Sequence, residues 1–275
     1  VDAPLWGPYT PLASCFRPYS FVGRMARILL SNDDGITAPG LRALYESVRA
    51  LGEVVVVAPD RERSAAGHSL SLHRPLRIDR MEEGWYAVDG TPTDCVNLAL
   101  NGLLKDRRPD LVLSGINRGG NMGDDITYSG TVAAAMEAAL LGLPAAAVSL
   151  VYEGDQPLRY GLAAGFALKL AREILRRGLR AGVLLNANVP NLPESECRGV
   201  RVTRQGKRIY GDAVVEKIDP RGREYYWIGG NGLSWVPEPD TDFDAVANGA
   251  ISVTPIHLDL TDFGAMRELA QWDFR

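Results

Sequence analysis

The chain is short of the residues that staple small folds and bind soft metals. Its three cysteines, Cys15, Cys95 and Cys197, are far apart and odd in number. They offer neither a disulfide framework nor a metal-ligand spacing. Cysteine and histidine form no cluster either, so a tetrahedral zinc site has no donors. Positive charge is not in excess: 30 Lys and Arg stand against 34 Asp and Glu, for a net charge of -4. The basic footprint of a duplex-binding protein is missing, so nucleic acid is not an expected partner. A small anion remains admissible, because a site can be locally positive inside an acidic protein. No apolar run reaches the roughly 18 residues of a membrane span, so no membrane partner is expected and the reading is cytoplasmic. Residues 1–24 lack the basic start and apolar centre of a signal peptide. They show no helical or strand period, and they read as an upstream extension or loose arm ahead of Met25.

What the chain does have is bulk and alternation. Its 275 residues are 46% hydrophobic, enough to bury about three quarters of the unfolded surface without staples. From Arg27 the pattern switches between short aliphatic runs and helical spacings. "RILLS" reads as a strand. "PGLRALYESVRALG" carries Leu41, Leu44, Val48 and Leu51 at helical intervals, with Pro39 near the start and Gly52 as the stop. "EVVVVAP" is apolar on both faces, which suits a central parallel strand. "WYAV" precedes a helix over "TPTDCVNLALNGLL", where Thr91 is the N-cap and Pro92 lies just inside. "PDLVLSG", "PAAAVSLV" and "GVLLNANVP" are further strands. "SGTVAAAMEAALLG" and "YGLAAGFALKLAREILRRG" are helices.

This βαβα alternation predicts an α/β, Rossmann-like, doubly wound and mostly parallel sheet with helices on both faces. The expected catalytic core is 25–190. Beyond it, 191–275 turns polar and β-prone. "DPRG" marks a protruding hairpin, "DTDFDAVANG" a short helix, "AISVTPI" a strand, and "DFGAMRELAQWDFR" an amphipathic helical tail. Hairpin and tail are expected to join copies of the chain into a homo-oligomer, dimer or tetramer, because an exposed strand pair is a liability unless paired.

In a doubly wound sheet, ligands bind beyond the carboxyl ends of the strands. Four polar loops land there: "SNDDG", "DRERSAAGHS", "DGTPTD" and "SGINRGGNMGDDITYSGT". In the first, Asp33 and Asp34 are adjacent and would repel one another without a cation. Ser64 offers a hydroxyl and Asn117 an amide oxygen. Two carboxylates and two neutral oxygens suit one hard divalent cation per subunit, Mg²⁺ or Mn²⁺. Ser129, Gly130 and Thr131 open an Ala-rich helix whose free N–H groups suit a phosphate, and Asn121 lies within reach of a phosphate oxygen. Asn32 beside the paired acids and His68 near the Ser64 loop are lesser candidates, His68 as a general acid. Asp94 is an N-terminal helix acid at the cleft. Tyr210, Tyr225 and Tyr226 could stack on a base or serve an interface.

"ILLSNDDG", "APDRERSAAGHSLSL", "GTPTDCV", "LVLSGINRGGNMG" and "YSGTVAAAMEA", in this order, resemble the SurE family, the survival-protein-E nucleotidases. The resemblance runs from Met25 to about Pro255, and residues 1–24 depart from it. It implies a metal-dependent phosphatase of nucleoside 5′- and often 3′-monophosphates, a Rossmann-like core, and a dimer or tetramer built with C-terminal elements. It also implies Asp33, Asp34, Ser64 and Asn117 as metal ligands. In the mechanism expected on these grounds, an activated water attacks phosphorus and Asp33 or Asp34 orients or deprotonates it. The competing readings are a nucleotide-binding oligomer without turnover, an aspartyl-phosphate phosphatase, or a phosphatase of another phosphoester such as polyphosphate.

Overall fold

The computed structural model describes residues 25–210, 214–228 and 234–274, so the arm expected over 1–24 lies outside the described residues. The first strand, β1 (Ala26–Ser31), is apolar on both faces. Ile28 and Leu30 enter one core layer and Leu29 the other. Next come α1 (Pro39–Val48), β2 (Gly52–Pro59), β3 (Ile78–Glu82), β4 (Trp85–Val88), α2 (Pro92–Leu98) and β5 (Leu111–Arg118). The body continues with α3 (Gly130–Leu140), β6 (Ala145–Val151), α4 (Tyr160–Arg177) and β7 (Val183–Pro190).

The C-terminal part holds β8 (Val200–Val202), β9 (Arg208–Ile209), β10 (Val214–Ile218), β11 (Glu224–Ile228) and β12 (Ser234–Trp235). It ends with α5 (Asp242–Ala247), β13 (Ile251–His257) and α6 (Phe263–Leu269).

Nine strands form one sheet in the order β3-β4-β2-β1-β5-β6-β7-β13-β8. From β4 to β7 every neighbour pair is parallel. Those six strands, numbered by appearance, follow the 3-2-1-4-5-6 order of a doubly wound nucleotide fold. The order reverses between β1 and β5, and the crevice of such a fold opens there. Helices cover both faces. The buried stripe Leu41, Leu44 and Val48 of α1 packs with Ala163, Phe166, Leu170 and Ile174 of α4 on one side. On the other, Cys95 and Val96 of α2 meet Val132, Ala134, Ala135 and Ala138 of α3. Leu41 and Leu44 are fully buried, and truncating either to Ala would cost about 2–5 kcal/mol. Among the described residues no helix is long and apolar enough to cross a membrane.

Four details differ from the sequence reading. An edge strand, β3, pairs antiparallel with β4; it is mostly exposed and so shows little apolar alternation. The helix expected over 91–104 is regular only to Leu98 and then widens into a π turn over Ala99–Leu103. Beyond residue 190, β13 pairs antiparallel with β7 and carries β8 beside it in parallel, so both belong to the main sheet. The tail helix α6 spans seven residues with none buried. The hairpin itself is present, with β10 and β11 antiparallel around Asp219–Gly222.

Candidate metal and phosphate site

The chain leaves β1 at the switch point, and the strand alternation carries on into the loop. Asn32 turns its Nδ2 to Gly35 O at 2.9 Å and closes the turn. Asp33 faces the mouth of α3, where the Thr131 hydroxyl donates to its Oδ1 and the Thr131 N–H adds a second bond. A Cβ on Gly130 would stand 2.8 Å from the Asp33 Cβ and 3.0 Å from Oδ2. Glycine at 130 is what lets the helix close on this carboxylate. Asp34, half-buried, accepts the Arg118 N–H on Oδ2 at 3.0 Å.

This setting resists negative charge. Burial pushes the Asp33 carboxyl up to about 6, the Thr131 hydroxyl opposes the shift, and Asp34 adds to it. Asp33 is 5% exposed. Asp34 is also raised, first by burial, with the Arg118 N–H opposing and Glu62 repelling. Two adjacent carboxylates, each held above the usual range first by burial, are short of a cation.

The neutral oxygens come from neighbouring strands. At the end of β5 the register shifts between Gly115 and Asn117. Gly115 has φ +133 and passes so close to Val148 O that a side chain would overlap it. The Asn117 Nδ2 donates to Gly119 O at 2.8 Å, which leaves Oδ1 as its free atom. Ser64 lies on an exposed loop after β2 and donates to Glu62 Oε1 at 2.8 Å. The Arg63 N–H ties that loop to Asp33 O at 2.7 Å. Asn32 Oδ1 is buried without a partner. The candidate donors are therefore all oxygen: two carboxylates and a few neutral groups. Such a set fits a hard divalent cation. Among the described residues no group of three His, Cys, Asp or Glu is placed to hold a metal.

The phosphate candidates divide into roles. Ser129 caps α3 by accepting the Val132 N–H at 3.0 Å. Thr131 is committed to Asp33 through both its hydroxyl and its N–H, and the Gly130 N–H is the first-turn donor left for a ligand. Asn121 is buried, and its Nδ2 donates to Ser149 Oγ at 2.8 Å. The second amide hydrogen remains available for a phosphate oxygen. The Asn121 backbone is clamped. Its N–H donates to Asn188 Oδ1, and its carbonyl accepts from Asn186 and Asn188 at 2.8 and 2.9 Å. His68 lies on the Ser64 loop with Nε2 2.9 Å from Glu137 Oε2. Asp94 closes a capping box with Thr91 and also receives Ser71 on both oxygens. The Tyr210 hydroxyl donates to Asp125 at 2.8 Å, whereas Tyr225 and Tyr226 stand exposed on β11.

Two acidic residues at the site escaped the sequence reading. Glu62 sits two positions before Ser64, and its charge bears on Asp34. Glu137 is the lone charge in an alanine-rich helix, a signal visible in the sequence. The Asn186–Asn188 pair, on the same side of a buried strand, was visible too.

Fold and site together define a doubly wound α/β protein with acidic and neutral oxygen-bearing side chains gathered at its switch point. A family model described as Survival protein SurE matches residues 28–212. A 5′-nucleotidase SurE of Geobacter sulfurreducens is 58% identical over 246 residues, covering 90% of this chain and 93% of the relative. One of Geotalea uraniireducens is 57% identical over 247 residues, covering 90% and 99%. The crystal structure of a SurE protein from Aquifex aeolicus superposes with a TM-score of 0.79 at 44% identity, covering 88% of this chain and 98% of that one. The chain belongs to the SurE family.

Proposed function

We propose that the protein is a phosphomonoesterase that releases phosphate from nucleoside 5′-monophosphates, and from 3′-monophosphates as well. It would do so with one divalent cation, Mg²⁺ or Mn²⁺, held by Asp33, Asp34, Asn117 and Ser64. The observation that carries this reading is the Asp33–Asp34 pair at the switch point, both raised in pKa, with Asp33 bonded at the mouth of α3 and Asp34 on the Arg118 N–H. Relatives more than half identical over nine tenths of the chain are named 5′-nucleotidases. The bound cation would polarise a phosphoryl oxygen and lower the pKa of a water.

The chain's own groups supply the rest. Thr131 and the Arg118 N–H hold the two carboxylates in place. The Gly130 N–H and the free amide hydrogen of Asn121 receive phosphoryl oxygens, where charge accumulates as the bond breaks. Asp34 has one oxygen bonded and the other without a protein partner, so Asp34 Oδ1 takes the proton of the attacking water. Asp33, bonded twice by Thr131, is the fixed member of the pair. Apolar residues exposed on β10, β11 and α6 support self-association into a dimer or tetramer.

The test is phosphate release from a panel of nucleoside 5′- and 3′-monophosphates, first with chelator and then with added Mg²⁺ or Mn²⁺. Release that stops with chelator and returns with metal is the expected outcome. Tight nucleotide binding with no release under any metal would replace this reading with that of a binding protein.

A further inference from the structure

We infer that Glu137 is a positioning residue: by holding His68 it fixes the loop that carries Ser64, and so sets the affinity of the site for its cation. The inference rests on the reading of Ser64 as a cation ligand given above.

The observation that calls for an explanation is a buried carboxylate with no place in the reaction. Glu137 is 6% exposed on α3, and the rest of that helix carries no charge. An unpaired charge there would be strongly destabilising. This one is fully engaged. Oε2 meets His68 Nε2 at 2.9 Å, and Oε1 accepts from Asn97 Nδ2 at 2.7 Å. Asn97 is steadied in turn by Asn101 at 3.2 Å. The His68 bond is the main reason that Glu137 lies below the usual carboxylate range.

What this arrangement holds is the segment 60–75. It contains neither helix nor strand, and most of it is exposed. Its leucines do not anchor it, since Leu70 and Leu72 are both exposed, Leu72 by 78%. Hydrogen bonds must therefore set its path. Arg63 N–H binds Asp33 O at 2.7 Å at the near end. Gly67 N–H binds Tyr128 O at 3.1 Å, and His68 binds Glu137 directly after it. Beyond them, Thr91 Oγ1 donates to Ser69 O at 2.7 Å, and Ser71 sits on Asp94 at 2.8 and 2.7 Å. Ser64 lies between the Arg63 tether and the Gly67–His68 pair. Ala65, next to it, has φ +56, a conformation that a residue with a side chain keeps only where its surroundings impose it.

A role for His68 as proton donor to the leaving group fits this geometry less well. Glu137 is six residues beyond Thr131, so it stands roughly 9 Å further along the helix than the residue that touches Asp33. The nitrogen bonded there is turned to an anchor, not to phosphorus.

The experiment measures Mn²⁺ binding to the full-length protein by titration calorimetry, alongside the metal dependence and kcat of phosphate release. Glu137→Ala removes a charge-assisted tether and should weaken Mn²⁺ binding roughly tenfold, with kcat at saturating Mn²⁺ within about threefold of the parent. Glu137→Gln keeps an acceptor for His68 and should restore most of the affinity. His68→Ala should weaken binding as Glu137→Ala does, and it carries the test if Glu137→Ala fails to fold. Ser64→Ala separates the two levels of argument. Unchanged Mn²⁺ affinity in Ser64→Ala would overturn the assignment of the ligand. Weakened affinity in Ser64→Ala but parental affinity in folded Glu137→Ala or His68→Ala would overturn the positioning role alone.

Discussion

The switch point and the hairpin break the same rule in opposite directions. At the switch point, polar and charged groups are buried: Asp33, Asn32, Thr131, Asn121 and Glu137 are all below 9% exposure. On the hairpin, large apolar groups are exposed, with Trp227 at 63% and Ile228 at 90%. Neither arrangement stabilises an isolated chain. A buried carboxylate resists its own ionisation, and an apolar face in water gains nothing from folding. The difference lies in what each region lacks: positive charge at the first, apolar surface at the second. On the function proposed above, a small ion and an anionic substrate would complete the first, and a second protein surface would complete the second. Departures from good local packing mark functional sites when a missing partner accounts for their sign.

The sharpest way to break this comparison is to remove the charge at the first region. Asp34→Asn deletes the proposed base and half the anionic charge. It should lower phosphate release by two orders of magnitude or more at saturating metal. Asp33→Asn should act through cation binding, raising the metal concentration needed for half-maximal release by about an order of magnitude or more. If both variants keep full turnover with the parent's metal dependence, the pair is a turn and nothing else, and the contrast between the regions disappears.

A second measurement sharpens the claim that the site is costly to the fold. The Asp33 carboxyl is raised to about 6 from an unfolded value of 3.8. Between those values the folded chain keeps a proton that the unfolded chain has released, so stability falls as pH rises through the window. At neutral pH the cost is on the order of 3 kcal/mol. Asp33→Asn should therefore raise the Tm of metal-free protein at pH 7 and lose the advantage near pH 4. Added Mn²⁺ should raise the Tm of the parent and leave Asp33→Asn nearly unmoved. Thermal melts at the two pH values decide it: equal shifts at both would mean that Asp33 carries no such penalty.

Much of the first region was legible in the sequence, because its signals are local. "RILLS" and "EVVVVAP" declare parallel strands by apolar faces on both sides. Pro39, Thr91 and Ser129 announce helix starts by chain chemistry alone. Strand alternation also gives the reason that Asp33 and Asp34 cannot share one direction. The order in which strands pair is not local, and neither is the return of β13 beside β7. Roles within the site were less legible for the same reason. Thr131 reads as a phosphate donor until the fold brings Asp33 against it, and Ser129 until its oxygen is found capping Val132. Glu137 acquires a role only when a loop 69 residues away comes to rest on it.

The smallest expected effect lies at the hairpin, and it tests the other half of the comparison. Tyr226, Trp227 and Ile228 are exposed on one short strand, paired with β10 and standing apart from the nine-stranded sheet. Covering one such side chain in an interface stabilises it by about 1.5–3 kcal/mol. Ile228→Asp should weaken self-association by at least about tenfold in sedimentation velocity. The melting of the dilute chain should shift little, because this side chain contributes nothing to the core. A parallel fall in Tm and activity in the dilute monomer would tie the hairpin to the core of its own chain. Unchanged mass at micromolar concentration would mean that the exposed face is covered by something other than a second copy.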